Sequence, residues 1–426
     1  FLGQQVSLAP GTNVSKTVAK VVSAFEVAML DLQGQMAQAP IVDLLGGAAR
    51  DRVPYSAYLF YKYAQHIEKP YAPDAWGEAL TPPQLVAQAR RMIDQYGFQS
   101  IKLKAGTLDP EQEAAGILAL AEAFPGLPLR IDPNGNWTVA TSLKIVQQLQ
   151  GVLEYYEDPA PGLDGMAAVA RECDVPLATN MVVTDFAEFR RNADMGCPVK
   201  IVLSDHHYWG GLRATQRLST LCRTFDLGLS MHSNSHLGVS LVAMTHLCAS
   251  VPLLTYACDT HYPWQDEEVI EGGRLQFEQG SLRVPTTPGL GVTLDREALA
   301  RLHDNYLRCG IRNRDDLGQM RKYDPAFTGK QPRLCIPAPG QKKTTQSQHP
   351  AQTELVQSRP HFHSAKRRFS TGDNHHASPH PASIHPRRQL PADGRIPCRR
   401  PCPGTGQLAH GQAHHLSGAV PPRRQY

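Results

Sequence analysis

Residues 129–180 read LRIDPNGNWTVATSLKIVQQLQGVLEYYEDPAPGLDGMAAVARECDVPLATN, and this stretch decides the fold. Three short apolar runs end in polar side chains, at Leu129–Asp132, Leu153–Glu157 and Leu177–Asn180. The segments between them have the apolar spacing of helices. Strands that alternate with helices predict a parallel α/β sheet, because a parallel connection needs a crossover of about a dozen residues or more.

The same alternation extends over most of the chain. Pro82–Tyr96 has the spacing of an amphipathic helix, and Val18–Leu45 fits two helices with Gly34 and then Gly46-Gly47 as stops. The other predicted elements are helices Val139–Leu149, Gly165–Cys173, Asp185–Met195, Leu212–Phe225 and Leu237–Ala249, and strands Ile101–Lys104, Val199–Ser204, Leu227–Met231 and Leu254–Ala257. Such a series folds either as a barrel or as an open, doubly wound sheet.

Seven of the predicted strands end in a residue with a chemically active side chain. These residues are Lys104, Asp132, Glu157, Asn180, Asp205, His232 and Asp259. One βα unit takes about 30 residues, which matches their spacing. A barrel builds its active site from the carboxyl ends of all its strands, whereas an open sheet uses one switch point. We therefore predict a barrel.

Three oxygen-bearing side chains form the candidate metal site. Asp132, Glu157 and Asn180 follow apolar strands in RIDPNGNW, LEYYEDP and PLATNM. Oxygen ligands from neighbouring strands suit Mg²⁺, which is usually held by a few carboxylates together with substrate and water. An Asp-Pro pair after a strand also caps turns, but three such residues in step with the strands favour a metal site.

Two further pairs are suited to proton transfer. Lys102 and Lys104, in IKLKAG, share one face of their strand, so each is expected to lower the pKa of the other and leave one as a base near neutral pH. Asp205 and His232 end neighbouring strands, so the carboxylate can hold one imidazole nitrogen and leave the other for a ligand.

Both pairs also have a structural interpretation. Alternating Ile-Lys-Leu-Lys is typical of an edge strand with solvated lysines, and we assign His206 and His207, beside a helix start, mainly structural hydrogen bonds. A lysine pair and an Asp-His pair on opposite sides of a metal nevertheless form a layout for removing a proton beside a carboxylate. Enolase-superfamily enzymes use Lys or His bases with Mg²⁺ for this chemistry.

With the motifs IKLKAG, RIDPNGNW, YYEDP, PLATNM, VLSDHHYWGG, LSMHSNSHLG and ACDTHYPWQ in this order, the chain resembles the glucarate dehydratases of the enolase superfamily. The resemblance implies an α/β fold, a modified TIM barrel of (β/α)7β type with an α+β capping domain, and Mg²⁺ as cofactor. It implies metal ligands at Asp132, Glu157 and Asn180, and catalytic roles for Lys104, His232, Asp205 and Lys102. The substrate contacts that it implies are Tyr58, Lys102, Asn134, Asn180, Ser233, Asn234, His261, Arg314 and Thr12.

The reaction implied by the resemblance is dehydration of D-glucarate to 5-dehydro-4-deoxy-D-glucarate. Lys104 or His232 would remove the C5 proton, according to the stereochemistry of the substrate, and His232 would protonate the departing 4-hydroxyl. Bases on both faces would also permit epimerisation between glucarate and L-idarate. Galactarate and other aldarates stay open as substrates.

The resemblance also predicts the domains. Residues 1–50 are expected to be a helical remnant of an incomplete capping domain, 51–310 the barrel, and 311–330 a segment returning to the cap. Relatives carry further residues before Val18, including a loop that closes over the substrate, so we expect weaker water exclusion and specificity here.

The rest of the chain, residues 331–426, differs chemically. This tail holds 14 Lys and Arg against three acidic residues, a charge of +11, while the whole chain has a net charge of only +4. It is rich in Pro and His and has few apolar residues, which predicts disorder. It matches nothing in the family, and our hypothesis is a shifted reading frame or read-through.

Partners and location follow from composition and family. The basic tail suits a polyanion, which leaves a non-catalytic binder as a rival hypothesis, but it has almost no aromatic residues for base stacking, so nucleic acid is the less favoured partner. We expect a small aldarate as partner, no membrane association because no run of 18 apolar residues occurs, and a homo-oligomer because family members commonly self-associate. Nine cysteines without a CxxC pair indicate reduced thiols in a cytoplasmic protein.

Overall fold

The computed structural model describes residues 14–64 and 75–309, together with residues 322 and 325. Its centre is a parallel sheet in which β2 to β8 are hydrogen-bonded in chain order, and β1 pairs with β9 in a separate antiparallel ribbon. The strands are β1 (Arg52–Pro54), β2 (Ala57–Phe60), β3 (Ile101–Lys104), β4 (Leu129–Asp132), β5 (Leu153–Glu157), β6 (Leu177–Thr179), β7 (Ile201–Ser204), β8 (Gly228–Met231) and β9 (Ser281–Arg283).

Helices occupy the connections between the parallel strands, as the predicted alternation requires. They are α1 (Val14–Ala37), α2 (Ile41–Leu44), α3 (Pro82–Tyr96), α4 (Pro110–Ala123), α5 (Val139–Gln148), α6 (Gly162–Ala170), α7 (Phe186–Asp194), α8 (His206–Trp209), α9 (Leu212–Thr224), α10 (Gly238–Ser250) and α11 (Arg296–Cys309). The predicted helices lie within three residues of the observed bounds at their starts, except at α1. Our sequence analysis missed α4, although Asp109 caps its first turn and Pro110 occupies its first position.

A segment that is not a regular strand carries the sheet round from β8 to β2. Within residues 255–259, Thr255 and Asp259 donate backbone hydrogen bonds to β8 at 3.0 and 2.9 Å. On its other side, Cys258 exchanges two backbone hydrogen bonds of 2.9 Å with the residues just before β2. The TIM-like α/β barrel is thereby confirmed as the fold class.

The prediction of a regular eighth strand at Leu254–Ala257 was wrong, and side chains from inside the ring explain why. The hydroxyl of Ser230 donates to the carbonyls of Tyr256 and Ala257 at 3.1 and 3.0 Å. Arg130 Nη1 also donates to the carbonyl of Ala257, at 2.8 Å. These carbonyls satisfy their hydrogen-bonding capacity without a complete strand ladder.

The outer face of α1 is apolar. Large apolar side chains on it are exposed by 44 to 78% of their surface, namely Val18, Val21, Val22, Phe25, Met29, Leu32 and Met36. The face turned towards the barrel buries Leu30 in the core and adds polar contacts, such as Asp31 Oδ1 accepting from Leu290 N at 2.7 Å. A contiguous exposed apolar stripe of this kind is typical of a surface that another segment or partner covers, and the domain bounds stay a prediction. None of the helices in the described ranges combines the length and the apolarity that a membrane crossing needs.

The prediction that Gly34 stops the first helix was wrong, since α1 continues through it to Ala37. Gly34 is needed for close approach instead. A Cβ atom at this position would lie 2.6 Å from the Cα of Gly289 and 2.7 Å from the carbonyl oxygen of Ala39. Both obstacles are backbone atoms, so the loop at Gly289 can pack on α1 only because residue 34 has no side chain.

We expect Gly34→Ala to destabilise the protein by about 1–3 kcal/mol, because the overpacked contact outweighs the better helix propensity of alanine. The measurement is the free energy of unfolding in urea. Gln33→Ala, at an exposed position of the same helix, is the matched control and should be neutral or slightly stabilising. Equal stability of Gly34→Ala and the wild type would contradict the packing argument.

Candidate active site

Lys102 lies at the centre of a buried ionic cluster inside the barrel. Its Nζ is 2.5 Å from Glu157 Oε2, 2.6 Å from Asp259 Oδ2 and 3.6 Å from Asp132 Oδ2. It also lies 4.7 Å from the ring centroid of Tyr58, in a cation–π contact. All of these side chains are buried, so each charge depends on its partners rather than on water.

Lys104, two residues along the same strand, faces the more open side of the cluster. Its Nζ donates to Asp132 Oδ2 at 2.6 Å and to Asn134 Oδ1 at 2.8 Å, and 22% of its side chain is exposed. Asn134 has a φ of +59°, in the left-handed region, and its backbone N–H donates to Asp132 Oδ1 at 2.9 Å. The hydroxyl of Tyr58 donates to Asp132 Oδ2 at 3.3 Å.

The expected mutual lowering of the two lysine pKa values was wrong for Lys102. Burial alone would lower its pKa, but the charges of Asp259 and Glu157 outweigh burial and raise it well above the ordinary value. Burial likewise opposes ionisation of Asp132, yet the charges of Lys104 and Lys102 hold the pKa of this carboxyl below its usual range. The ionic partners of Lys102 and Asp132 thus favour the charged form of each group, against the effect of burial.

The ends of β5 and β6 bring the other two predicted metal ligands together. Asn180 Nδ2 donates to Glu157 Oε1 at 2.8 Å. The neighbouring Asp158 accepts the hydroxyl of Thr179 and the backbone N–H of Asn180, the latter at 3.0 Å. Burial, reinforced by the charge of Asp132, raises the pKa of Glu157 well above its usual range and that of Asp158 to about 7.

The cluster fits a divalent cation because its acidic groups outnumber its basic ones. Two ammonium groups, Lys102 and Lys104, face four buried carboxyl groups, Asp132, Glu157, Asp158 and Asp259. Burial first, and then the charge of Asp132, raises the pKa of Glu157 and of Asp158, and a bound cation would act in the opposite direction. Oxygen donors only, on neighbouring strands, suit Mg²⁺ better than a transition metal.

Asp205 and His232 form the predicted pair, and Asp205 has further partners. Its Oδ2 accepts from His232 Nδ1 at 3.2 Å and from Asn234 Nδ2 at 3.0 Å. Its Oδ1 accepts from His207, from Nδ1 at 2.7 Å and from the backbone N–H at 2.9 Å. Burial opposes ionisation, but the hydrogen bonds from His207 and His232 hold the pKa of Asp205 well below its usual range.

His261 connects the two sides of the site. Its ring packs 4.8 Å from that of Tyr58, measured between centroids. Its pKa is held well below the ordinary value by burial and then by the charges of His232, Lys104 and Lys102. The charges of both predicted bases thus act on the one ring of His261.

The remaining predicted contacts have mixed outcomes. Ser233 is buried and donates its hydroxyl to the carbonyl of Asn234 at 2.6 Å, so that hydroxyl is directed to the backbone. Thr12 and Arg314 lie outside the described residues. In the part of the chain that the structure describes, Asp205, His206 and His207 each offer a ligand atom within 4.8 Å of the others, a nitrogen-rich set unlike the one predicted for Mg²⁺.

Three contributors to the site had no site role in the sequence analysis. Asp259 follows a predicted strand at the same spacing as the other strand-end residues. This spacing is the sequence signal that identifies it as a contributor to the site. Asp158 follows Glu157 in the EDP motif, but nothing in a single sequence separates it from a turn cap. His207 was assigned a structural role, and its contact with Asp205 emerges only in three dimensions.

We expect Lys102→Met to destabilise the protein by about 3–5 kcal/mol, because it leaves buried carboxylates without their cation. The measurement is urea unfolding in the presence of a chelator. Lys144→Met is the matched control, because its ion pair with Glu111 is exposed and such pairs contribute about 1 kcal/mol or less. A Lys102→Met protein as stable as Lys144→Met would refute the ionic-centre interpretation.

Comparison with known proteins identifies the family. Residues 84–298 match the family described as enolase C-terminal domain-like. A probable glucarate dehydratase of Streptomyces coelicolor is 56% identical over 310 residues, which cover 72% of each chain.

Two solved structures agree with this assignment. An enolase from Pseudomonas fluorescens Pf0-1, crystallised with magnesium, potassium and tartrate, is 60% identical, with a TM-score of 0.75 over 78% of this chain and 79% of its own. An enolase from Mycobacterium smegmatis complexed with tartrate is 57% identical, with a TM-score of 0.72 over 76% and 77% of the two chains. The expected resemblance is confirmed, and the chain belongs to the enolase superfamily.

Proposed function

We propose that this chain is a Mg²⁺-dependent hydro-lyase that converts D-glucarate to 5-dehydro-4-deoxy-D-glucarate. The observation that carries the proposal is a buried cluster in which Lys104 contacts Asp132 at 2.6 Å and Asn180 bonds Glu157 at 2.8 Å, with an Asp205–His232 pair after the neighbouring strands β7 and β8. The 56% identity to a probable glucarate dehydratase supports it. Tartrate, present in two similar structures, is itself a dicarboxylic hydroxy acid.

The metal would be held by Asp132, Glu157 and Asn180. When bound, Mg²⁺ would neutralise the charge that develops on the substrate carboxylate as the neighbouring C5–H bond breaks. This assignment uses oxygen ligands alone, in keeping with the preference of Mg²⁺.

The protons would move through Lys104 on one side of the substrate and His232 on the other. Either Lys104 Nζ, as the neutral amine, or His232 Nε2, as the neutral imidazole, takes the proton from C5, according to which face of the substrate it is on. Where Lys104 is the base, His232 enters the reaction protonated. The electron pair of the broken C5–H bond then expels the 4-hydroxyl, which His232 protonates so that it leaves as water. The resulting enol takes up a proton at C4 and becomes the ketone at C5.

Asp205 determines which nitrogen of His232 takes part. An ionised carboxylate accepts hydrogen bonds only, so the bonded Nδ1 carries its proton and Nε2 remains for the substrate. Once His232 is protonated, the negative charge of Asp205 stabilises the imidazolium. Asn134 and Tyr58 bond to Lys104 and Asp132, and His261 packs on Tyr58. These three side chains are proposed to contact the substrate hydroxyl and carboxylate groups.

The first test is formation of a 2-keto acid from D-glucarate and Mg²⁺ by the full chain, with L-idarate and galactarate in parallel. We expect His232→Asn to reduce turnover about 100-fold or more, since it removes a general acid–base group. His303→Asn, at an exposed histidine of α11, is the matched control and should leave turnover unchanged. Activity on galactarate alone would mean that galactarate, and not D-glucarate, is the substrate. Inactivity on every aldarate tested would refute the assignment as a hydro-lyase.

The metal assignment is tested by thermal unfolding. Binding that occurs only in the folded state should stabilise the protein by about 2.7 kcal/mol at 100 times the dissociation constant. We therefore expect Mg²⁺ to raise the Tm of the wild type and of Asp266→Asn, which replaces an exposed carboxylate, but not that of Asp132→Asn. An equal rise in all three proteins would exclude the proposed ligand set.

A further inference from the structure

Asp205 is bonded to two histidines, and the one outside the predicted pair makes the shorter contact. His207 Nδ1 lies 2.7 Å from Asp205 Oδ1, whereas His232 Nδ1 lies 3.2 Å from Oδ2. The backbone N–H of His207 adds a second bond of 2.9 Å to the same oxygen. The two carboxylate oxygens are thus divided between the two histidines, and the orientation of the carboxylate depends on both.

A serine extends this arrangement by one more residue. Ser240 Oγ lies 2.9 Å from His207 Nε2. When the hydroxyl donates to Nε2, the neutral imidazole of His207 carries its proton on Nδ1, which is the nitrogen that faces Asp205. The result is a chain Ser240–His207–Asp205–His232 in which every member has a consistent donor or acceptor role.

The members of this chain come from separate elements. Asp205 follows β7 and accepts from the first turn of α8, His207 lies on α8, and Ser240 lies on α10. His232 follows β8. The Oδ1 atom of the carboxylate is therefore held from α8, which α10 supports through Ser240, while Oδ2 is held by His232 and Asn234 from the segment after β8.

We propose that His207 is a positioning residue for the reaction, holding the Asp205 carboxylate in the orientation in which it fixes the tautomer of His232 and stabilises its protonated form. This inference rests on the proposed function, because it assigns His207 a share in the proton transfer made by His232. It assigns nothing to the Lys104 side of the site. His207 acts through Asp205 and does not itself meet the substrate.

Electrostatics agrees with this geometry. Burial of Asp205 opposes its ionisation, and among the effects that overcome burial the hydrogen bond from His207 comes first, ahead of that from His232, in keeping its pKa well below the usual range. Removing His207 would therefore leave the carboxylate less firmly charged as well as less firmly oriented.

Two substitutions separate the hydrogen bond from the packing of the ring. His207→Phe retains an aromatic ring beside His206 and His236, whose ring centroids lie 3.9 and 4.9 Å from that of His207, but it removes the donor. In His207→Asn the amide nitrogen can take the place of Nδ1, so the donor to Asp205 is kept and only the link to Ser240 is lost. His207→Asn is therefore the control variant, in which the effect of losing the imidazole should be largely reversed.

The measurement is exchange of the C5 proton of D-glucarate and of L-idarate with deuterium from the solvent, followed by NMR with the full chain and Mg²⁺. His232→Asn identifies in the same assay which epimer exchanges through His232. For that epimer, we expect His207→Phe to slow exchange about 10- to 100-fold, the effect of losing one hydrogen bond to a charged group. Exchange of the other epimer should stay within about twofold, because Lys104 shares no partner with His207.

His207→Asn should recover most of the exchange through His232, which a purely structural role of the imidazole ring would not produce. Unchanged exchange in His207→Phe, or equal slowing for both epimers, would overturn the positioning role. If the wild type neither exchanges the C5 proton of either epimer nor forms the 2-keto acid, the proposed function is overturned instead.

A second measurement does not depend on turnover. The ¹⁵N chemical shifts of His232 should report a protonated Nδ1 in the wild type and a mixture of tautomers in His207→Phe. Identical shifts in the two proteins would overturn the positioning role even if the exchange rates differed.

Discussion

The burial of the Lys102 ammonium is the constraint on which the rest of this structure depends. A cation removed from water costs several kcal/mol unless other charges meet it, and three separate elements supply them here. Asp132 ends β4, Glu157 ends β5, and Asp259 comes from the segment that joins β8 to β2. The cluster can form only when the ring of strands is complete, so closure of the barrel and assembly of the site are one event.

This dependence explains how an irregular segment can close a barrel. Residues 255–259 lack a full strand ladder, because the carbonyls of Tyr256 and Ala257 are taken by side chains. The segment is held instead by alternate backbone bonds and by the contact of 2.6 Å between Asp259 and Lys102. A regular strand is stabilised by backbone hydrogen bonds to its neighbouring strands. Here the ion pair between Asp259 and Lys102 supplies part of that stabilisation.

The sequence was sufficient to predict the period of the fold and the place of the site. A strand end recurs at every βα unit, and parallel strands bring their carboxyl ends to one edge, so local pattern alone placed Asp132, Glu157 and Asn180 together. The irregularity of the eighth strand and the role of Gly34 depend on contacts far apart in the chain. Gly34 packs against Gly289, which is too distant in the sequence for a local pattern to reveal the contact.

Local sequence patterns also could not predict which side chains pair with one another within the site. Lys102 and Lys104 were expected to act on each other, as neighbours on one face of a strand do, but Lys102 is governed by a carboxylate 157 residues away. His207 was interpreted from its place at a helix start, yet its ring nitrogen bonds the same Asp205 that serves His232. Types of residue and their spacing predict which groups meet, whereas the charge state of each group depends on all its neighbours.

The carboxyl groups show this rule within one site. Burial opposes ionisation of Asp132 and Asp205, but ammonium groups at the first and imidazole N–H donors at the second hold their pKa values below the usual range. Burial raises the pKa values of Glu157 and Asp158, and the charge of Asp132 adds to that effect. Carboxyl groups buried to the same degree thus shift in opposite directions according to their neighbours. Positive charge placed beside Glu157 would lower its pKa, and this is the direction in which a divalent cation on the proposed ligands Asp132, Glu157 and Asn180 would act.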